Sequence, residues 1–264
     1  ALVAHGLPAD VPPTMRVGEA DHLAPTRAVV PGAVTRDPVL LGGLVAAAMV
    51  ATVVMTTLIV GPFYLSRALR LSASRAGLVL ATGPAVAALT AAVAGAVVHR
   101  HGAARTALGG LLAMAAGVAA LALLPAACGT AGFLVPLVVL TSGYALFQTG
   151  NNTAVVGRAG DADRGAIAGL LTLSRYVGLI TGTALMGAVF DRATGGSLAP
   201  PAEAVAAGLR TTMAVALLPI ASAIALALVA CACVVRRVRA DAPLTPSPHQ
   251  PLNERTDSPC LERF

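Results

Sequence analysis

Residues 39–65 read VLLGGLVAAAMVATVVMTTLIVGPFYL, and this stretch decides the fold. It contains no charged side chain, and the next charge along the chain is Arg67. As an α-helix it would rise about 40 Å at 1.5 Å per residue, which exceeds the roughly 30 Å hydrocarbon core of a bilayer. The stretch therefore predicts a membrane-spanning helix.

Five further apolar stretches predict spans at about residues 76–98, 106–124, 131–157, 165–190 and 211–235. The predicted fold class is an all-α membrane protein, a six-transmembrane-helix bundle over residues 38–239. The flanking segments are polar and contain several prolines. We expect residues 1–37 to form a disordered cytoplasmic linker and residues 240–264 a disordered cytoplasmic tail.

The composition supports a bilayer environment and excludes several functions. Hydrophobic residues make up 56% of the chain and charged residues 11%, about half the usual share of a soluble domain. All 18 basic residues are Arg, so a Walker loop and a Schiff-base lysine are both excluded. His99 and His101 lack carboxylates or cysteines at ligand spacing. We therefore expect no enzyme, no metal and no cofactor.

The arginines flank the apolar stretches instead of forming one basic face, so nucleic-acid binding is not expected. Their distribution predicts that both termini are cytoplasmic and that the protein is a multi-pass protein of the plasma membrane. The side that carries the termini would hold nine arginines and the other side five. The first group is Arg27, Arg36, Arg100, Arg105, Arg158, Arg164, Arg236, Arg237 and Arg239, and the second is Arg67, Arg70, Arg75, Arg192 and Arg210.

Residues 95–105, GAVVHRHGAAR, join the second and third predicted spans. Gly95, Arg100 and Gly102 resemble the short cytoplasmic loop motif of the major facilitator superfamily, and Arg105 lies near the basic position of that motif. His99 departs from the motif, because the family usually has Asp there. In the family that carboxylate pairs with charges on neighbouring helices, and a histidine can do so only weakly.

A second resemblance covers residues 148–153, QTGNNT, and residues 169–182, GLLTLSRYVGLITG. These segments look like the penultimate helix region of drug:proton antiporters of the superfamily. The resemblance, which extends over roughly residues 36–239, implies the C-terminal half of a transporter. It also implies a preceding six-helix half, or a second copy in its place, and a small-molecule substrate that moves between the halves.

Arg175 is the one charged residue well inside a predicted span, which makes it a candidate functional residue. It lies about 16 Å along its helix from Arg164, and Gln148 lies about 15 Å from Arg158 on the preceding helix. The two side chains should therefore share a depth. We expect Arg175 to face the bundle interior, bonded by Gln148, Asn151 or carbonyl groups, or alternatively to extend to the cytoplasmic headgroups.

Tyr144, Gln148, Asn151 and Asn152 share one face of the fourth predicted helix. This polar stripe could line a substrate route, or it could form interhelical hydrogen bonds. Thr56 on the first helix could also line the route, or it could bond its own backbone.

Two glycine pairs of the fifth predicted helix have the spacing that permits close helix approach. They are Gly165 with Gly169, and Gly178 with Gly182.

All 12 acidic residues lie outside the predicted spans or at their edges, so a carboxylate for proton coupling would have to lie in the other half. The leading hypothesis is export of small molecules or drugs by alternating access, proton-coupled in the complete protein. The alternative is a truncated, non-transporting remnant or membrane interaction module that lacks a complete substrate route.

Overall fold

The computed structural model describes residues 37–123, 128–160, 163–197 and 200–240. The predicted linker, apart from its last residue, and the predicted tail, apart from its first residue, lie outside these residues. Within them, six long helices are apolar enough to cross a membrane. They are α1 (Pro38–Phe63), α2 (Ala73–His101), α3 (Ala103–Ala122), α4 (Gly129–Val156), α5 (Arg164–Ala193) and α6 (Ala202–Ala240). The predicted fold class, an all-α six-helix membrane bundle, is confirmed.

The first helix has well-defined ends. Asp37 caps α1, because its Oδ1 accepts a hydrogen bond of 2.9 Å from the Val39 amide, and Pro38 occupies the first turn, where no amide donor is needed. At the other end, Pro62 precedes a π-helical turn, Tyr64–Ala68. The Ser66 hydroxyl donates to the Pro62 carbonyl at 2.7 Å, so a side chain satisfies a backbone acceptor at this irregular point.

The last helix begins at Ala202, whereas the sequence predicted the span from residue 211. Glu203 and Arg210 lie in this added stretch and were reasons to exclude it. Both side chains are exposed, while Val205 and Leu209 are completely buried on the opposite face of the helix. The stretch is therefore amphipathic and packs on the bundle, a pattern that a search for uncharged stretches misses.

The bundle is organised around α1 and α4, which contact each other. α5 and α6 pack against α1, while α2 and α3 pack against α4, and α3 also contacts α6. Of the most apolar part of α1, 56% is buried inside the bundle, against 11% for α2. The exposed apolar side chains of α2, such as Leu78 and Leu89, therefore face lipid or another membrane segment.

The closest helix contacts are made at glycines. A Cβ added to Gly110 of α3 would lie 2.3 Å from the Phe147 amide nitrogen, and one added to Gly143 of α4 would lie 2.6 Å from the Gly110 carbonyl oxygen. These distances are too short for any side chain, so α3 and α4 touch backbone to backbone. This contact fixes the position of α4, which carries the predicted polar stripe.

A single residue, Gly102, joins α2 and α3. Its φ of 86° lies in the region that favours glycine, and this conformation reverses the chain between the two helices. The Gly102 amide bonds the Val98 carbonyl at 2.8 Å, and its own carbonyl accepts from the Thr106 hydroxyl at 2.9 Å. One end of the bundle is therefore closed by a tight turn beside the predicted loop motif.

Candidate functional site

Five of the six predicted route residues meet in one place. Tyr144, Gln148, Asn151 and Asn152 of α4 and Arg175 of α5 line one small cavity, together with Ala47, Val50 and Phe147. The cavity volume is about 10 Å³, enough for roughly one water molecule. The cluster is thus a polar wall on the bundle and not an enclosed binding pocket.

Arg175 has a specific hydrogen-bond partner on this wall. Its Nη2 donates to Oδ1 of Asn152 at 3.2 Å, which joins α5 to α4, and both residues are half-buried. The sequence predicted Gln148, Asn151 or backbone carbonyls as partners. The partner in the structure is instead Asn152, which follows Asn151 on the polar stripe. Arg175 makes no ion pair with any described residue.

Asn151 has a different task from its neighbour. Its side chain is only 7% exposed, and its Nδ2 donates to the Gly43 carbonyl of α1 at 3.0 Å. A Cβ on Gly43 would lie 2.9 Å from the Asn151 oxygen, so the glycine makes room for this contact. Asn151 therefore forms an interhelical hydrogen bond, which was the alternative to lining a route, while Asn152 bonds Arg175.

Thr56 does not belong to this wall. Its side chain is completely buried, and its hydroxyl donates to the Thr52 carbonyl one turn earlier at 3.1 Å. A side chain that is inaccessible in the six-helix bundle cannot line a route on its surface in this conformation. Thr56 is thus corrected from a route candidate to a threonine that bonds its own backbone.

The two glycine pairs of α5 behave differently. A Cβ on Gly178 would lie 2.0 Å from the Ala48 carbonyl oxygen, and one on Gly182 would lie 2.7 Å from Cα of Thr52, so this pair packs on α1. A Cβ on Gly165 or Gly169 would meet no atom within 4 Å. Gly165 and Gly169 therefore make no close contact with another described helix, and the packing role of this pair stays a prediction.

The seam between α1 and α5 also carries hydrogen bonds. The Thr52 hydroxyl lies 3.1 Å from the Ala48 carbonyl oxygen and 3.0 Å from that of Gly178. The Ser174 hydroxyl donates to the Leu44 carbonyl. Because Ser174 precedes Arg175, this bond to α1 fixes the part of α5 from which the arginine extends.

The larger cavities have little polar lining. One of about 460 Å³ lies between α1, α5 and α6 and is bordered mainly by apolar side chains such as Met49, Val177 and Leu218. Another of about 300 Å³ lies between α1, α3, α4 and α6, with Arg105 and Arg158 on its border. Neither contains Arg175, although Asn151 and Phe147 border both the second of these cavities and the polar wall.

Comparison with known proteins identifies the family. Residues 1–183, more than half of the chain, match the Major Facilitator Superfamily. The chain belongs to this superfamily. Together with the six apolar helices, the match makes it a multi-pass membrane protein of a transporter family.

One relative within the superfamily is the uncharacterized transporter YebQ of Escherichia coli strain K12. The two proteins are 32% identical over 131 residues, which amounts to 50% of this chain and 29% of YebQ. The match therefore covers less than a third of the length of that relative.

The segment that resembles the loop motif of the superfamily is exposed in this structure. His99 and Arg100 are exposed in the last turn of α2, Arg105 is exposed in the first turn of α3, and Gly95 has open space where a Cβ would be added. Neither Arg100 nor Arg105 forms an ion pair with a described residue. The loop is thus a tight turn whose two arginines lack an ion-pair partner among the described residues.

The charge pair at this end of the bundle comes from residues that the sequence reasoning did not combine. Asp37 Oδ2 lies 3.1 Å from Nη1 of Arg158, which joins the start of α1 to the residues after α4. Burial alone would raise the pKa of the Asp37 carboxyl, but hydrogen bonds from the Val39 amide and Arg158, with the charge of Arg158, hold the pKa below its usual value. The Asp-Pro helix start was the available signal, since it places a carboxylate beside the bundle.

Proposed function

We propose that this chain is the C-terminal half of an exporter of small molecules or drugs, and that the wall containing Arg175 borders the substrate route. The half would work by alternating access against a second six-helix half, with both termini in the cytoplasm. The family supports transport, and the resemblance to drug:proton antiporters supports the direction, the substrate class and proton coupling.

The single observation that carries the proposal is the pairing of Arg175 with Asn152. A charged side chain inside the bilayer is costly, so an intramembrane arginine normally faces protein or a water-filled cavity. Arg175 lies half-buried beside Tyr144, Gln148 and Asn152 and makes no ion pair with a described residue. Its remaining donors are thus able to contact a substrate or a group on the other half.

The polar wall lies beside an exposed apolar surface of α5. Large apolar side chains of α5 that precede and follow Arg175, among them Leu173, Tyr176 and Ile180, are more than half exposed. A second half placed against this surface would cover them and enclose the polar wall. The route would then run between the halves, with α4 and α5 on one side of it.

The test is efflux from cells that express the full-length gene, with Arg175→Gln compared with wild type. We expect efflux to fall at least about tenfold with unchanged amounts of protein in the membrane, because each lost charged hydrogen bond is worth about 1.5–3 kcal/mol. Arg192→Gln is the matched control, since Arg192 is an exposed arginine at the end of the same helix.

Equal efflux by the Arg175→Gln variant and wild type would remove Arg175 from the route. The remnant alternative makes a different prediction: no compound in a panel of amphipathic and cationic substrates would be exported above an empty-vector control. If efflux continues after the proton gradient is collapsed, proton coupling is contradicted, but export and the role of Arg175 are not.

A further inference from the structure

The cavity of about 300 Å³ between α1, α3, α4 and α6 lies at one end of the bundle. α1 and α3 begin at this end, and α4 and α6 end there. The cavity walls are mostly alanine, glycine and other apolar residues, and they extend inward as far as Ala46, Ala107 and Phe147. The walls therefore lie partly within the depth of the hydrocarbon core.

The charged border of this cavity is positive. Arg105 lies in the first turn of α3 and Arg158 lies two residues beyond α4, and both side chains are exposed. Arg158 forms an ion pair with Asp37, in which Nη1 lies 3.1 Å from Oδ2. Arg105 makes no ion pair with a described residue. One uncompensated positive charge therefore remains at the mouth of an apolar cavity.

The start of α3 adds to this positive charge. Ala103, Ala104 and Arg105 border the cavity, and no side chain caps the helix at Gly102. The first amides of a helix lack intrahelical partners and carry the positive end of the helix dipole. They reinforce Arg105 as a site for an anion at the membrane surface.

We propose that this cavity binds one anionic phospholipid from the leaflet at this end of the bundle. The phosphate lies between Arg105 and the start of α3, and part of an acyl chain occupies the alanine-lined space beside α6. Basic pockets between membrane helices bind such headgroups, and the apolar depth of this cavity suits a lipid better than a free anion. The lipid would stabilise the contact of α3 with α6 and is independent of any transported substrate.

The test is native mass spectrometry of the purified full-length protein with phosphatidylglycerol or phosphatidylcholine. We expect one phosphatidylglycerol to be retained preferentially, and Arg105→Gln to weaken retention about fivefold, the effect of one arginine at an anionic membrane surface. The exposed Arg75 at the start of α2 lies at the other end of the bundle, so Arg75→Gln should retain the lipid like wild type.

A second variant tests the apolar part of the site separately from the charge. Ala104 borders the cavity and is exposed, so Ala104→Phe should obstruct the acyl chain without disturbing a packed contact. Ala81→Phe on the exposed face of α2 is its control. Thermal unfolding in nanodiscs should show stabilisation by phosphatidylglycerol in wild type and in both control variants, and its loss in Ala104→Phe and Arg105→Gln.

Three results would overturn the proposal. Equal retention of phosphatidylcholine would remove the charge requirement, and full retention by both Arg105→Gln and Ala104→Phe would place the lipid elsewhere. Stabilisation of the protein by inorganic phosphate to the same extent as by phosphatidylglycerol would show an anion site and no lipid site. None of these readouts depends on substrate efflux, so the result stands apart from the proposed function.

Discussion

The two glycine pairs of α5 have the same spacing and opposite environments. Gly178 and Gly182 lie in the middle of the helix, where their missing side chains allow the backbones of α5 and α1 to touch. Gly165 and Gly169 lie in the first two turns, where nothing in the bundle approaches them. The difference shows that glycine spacing permits close approach, whereas the position of the neighbouring helix decides whether approach occurs.

The largest effect is expected when the stability of the Gly178→Val protein is compared with that of the Gly169→Val protein. At Gly178 the new Cβ would lie 2.0 Å from the Ala48 carbonyl oxygen, so the helices must separate along the whole seam. We expect a loss of at least about 3 kcal/mol, at the upper end of overpacking effects. Thermal unfolding in nanodiscs should show little or no folded Gly178→Val protein. If the Gly178→Val protein folds and melts at the same temperature as the Gly169→Val protein, the seam is not close-packed.

Gly182→Ala is a milder form of the same test. The added methyl group would lie 2.7 Å from Cα of Thr52, which requires a smaller shift than a valine at Gly178. The expected cost is about 1–3 kcal/mol, seen as a lower melting temperature. Gly165→Ala should melt at or above the wild-type temperature, because alanine is the better helix former where space is open. The reverse order of these two variants would contradict the difference between the pairs.

Thr52→Val asks how much of the seam depends on its hydrogen bond. The variant keeps the shape of the side chain and removes the donor to the Ala48 and Gly178 carbonyls. Interhelical hydrogen bonds in membranes average about 0.6 kcal/mol, so the melting temperature should fall far less than in Gly182→Ala. A larger fall than that of Gly182→Ala would mean that hydrogen bonding, and not close packing, holds α5 on α1.

A variant of Asp37 tests whether the ion pair at the start of α1 contributes to stability in addition to the seam between α1 and α5. Because the folded-state pKa of its carboxyl is lowered, the ion pair with Arg158 stabilises the protein above the unfolded pKa of about 3.9. The stabilisation is lost as pH falls through the folded pKa. The melting temperature of wild type should exceed that of Asp37→Asn by a small, constant amount from pH 7 to 5, and the difference should shrink below about pH 4. A difference that grows on acidification would exclude this ion pair as the cause.

Much of the candidate wall could be anticipated from the sequence. The i, i+4, i+7 and i+8 positions of Tyr144, Gln148, Asn151 and Asn152 require a common helix face, and two consecutive antiparallel helices place Arg175 at the same depth. The separate tasks of Asn151 and Asn152 could not be anticipated. They depend on where Gly43 of α1 meets α4, which is a contact between residues more than 100 positions apart in the sequence.

The amino-acid sequence by itself determined that six helices cross a bilayer, because hydropathy and helical rise are local properties of each stretch. It also determined that one arginine and a polar stripe lie inside those spans. Only the tertiary structure decided which glycines pack, which asparagine bonds Arg175 and which carboxylate pairs with Arg158. Those outcomes depend on the relative positions of helices distant in sequence, and no local pattern contains that information.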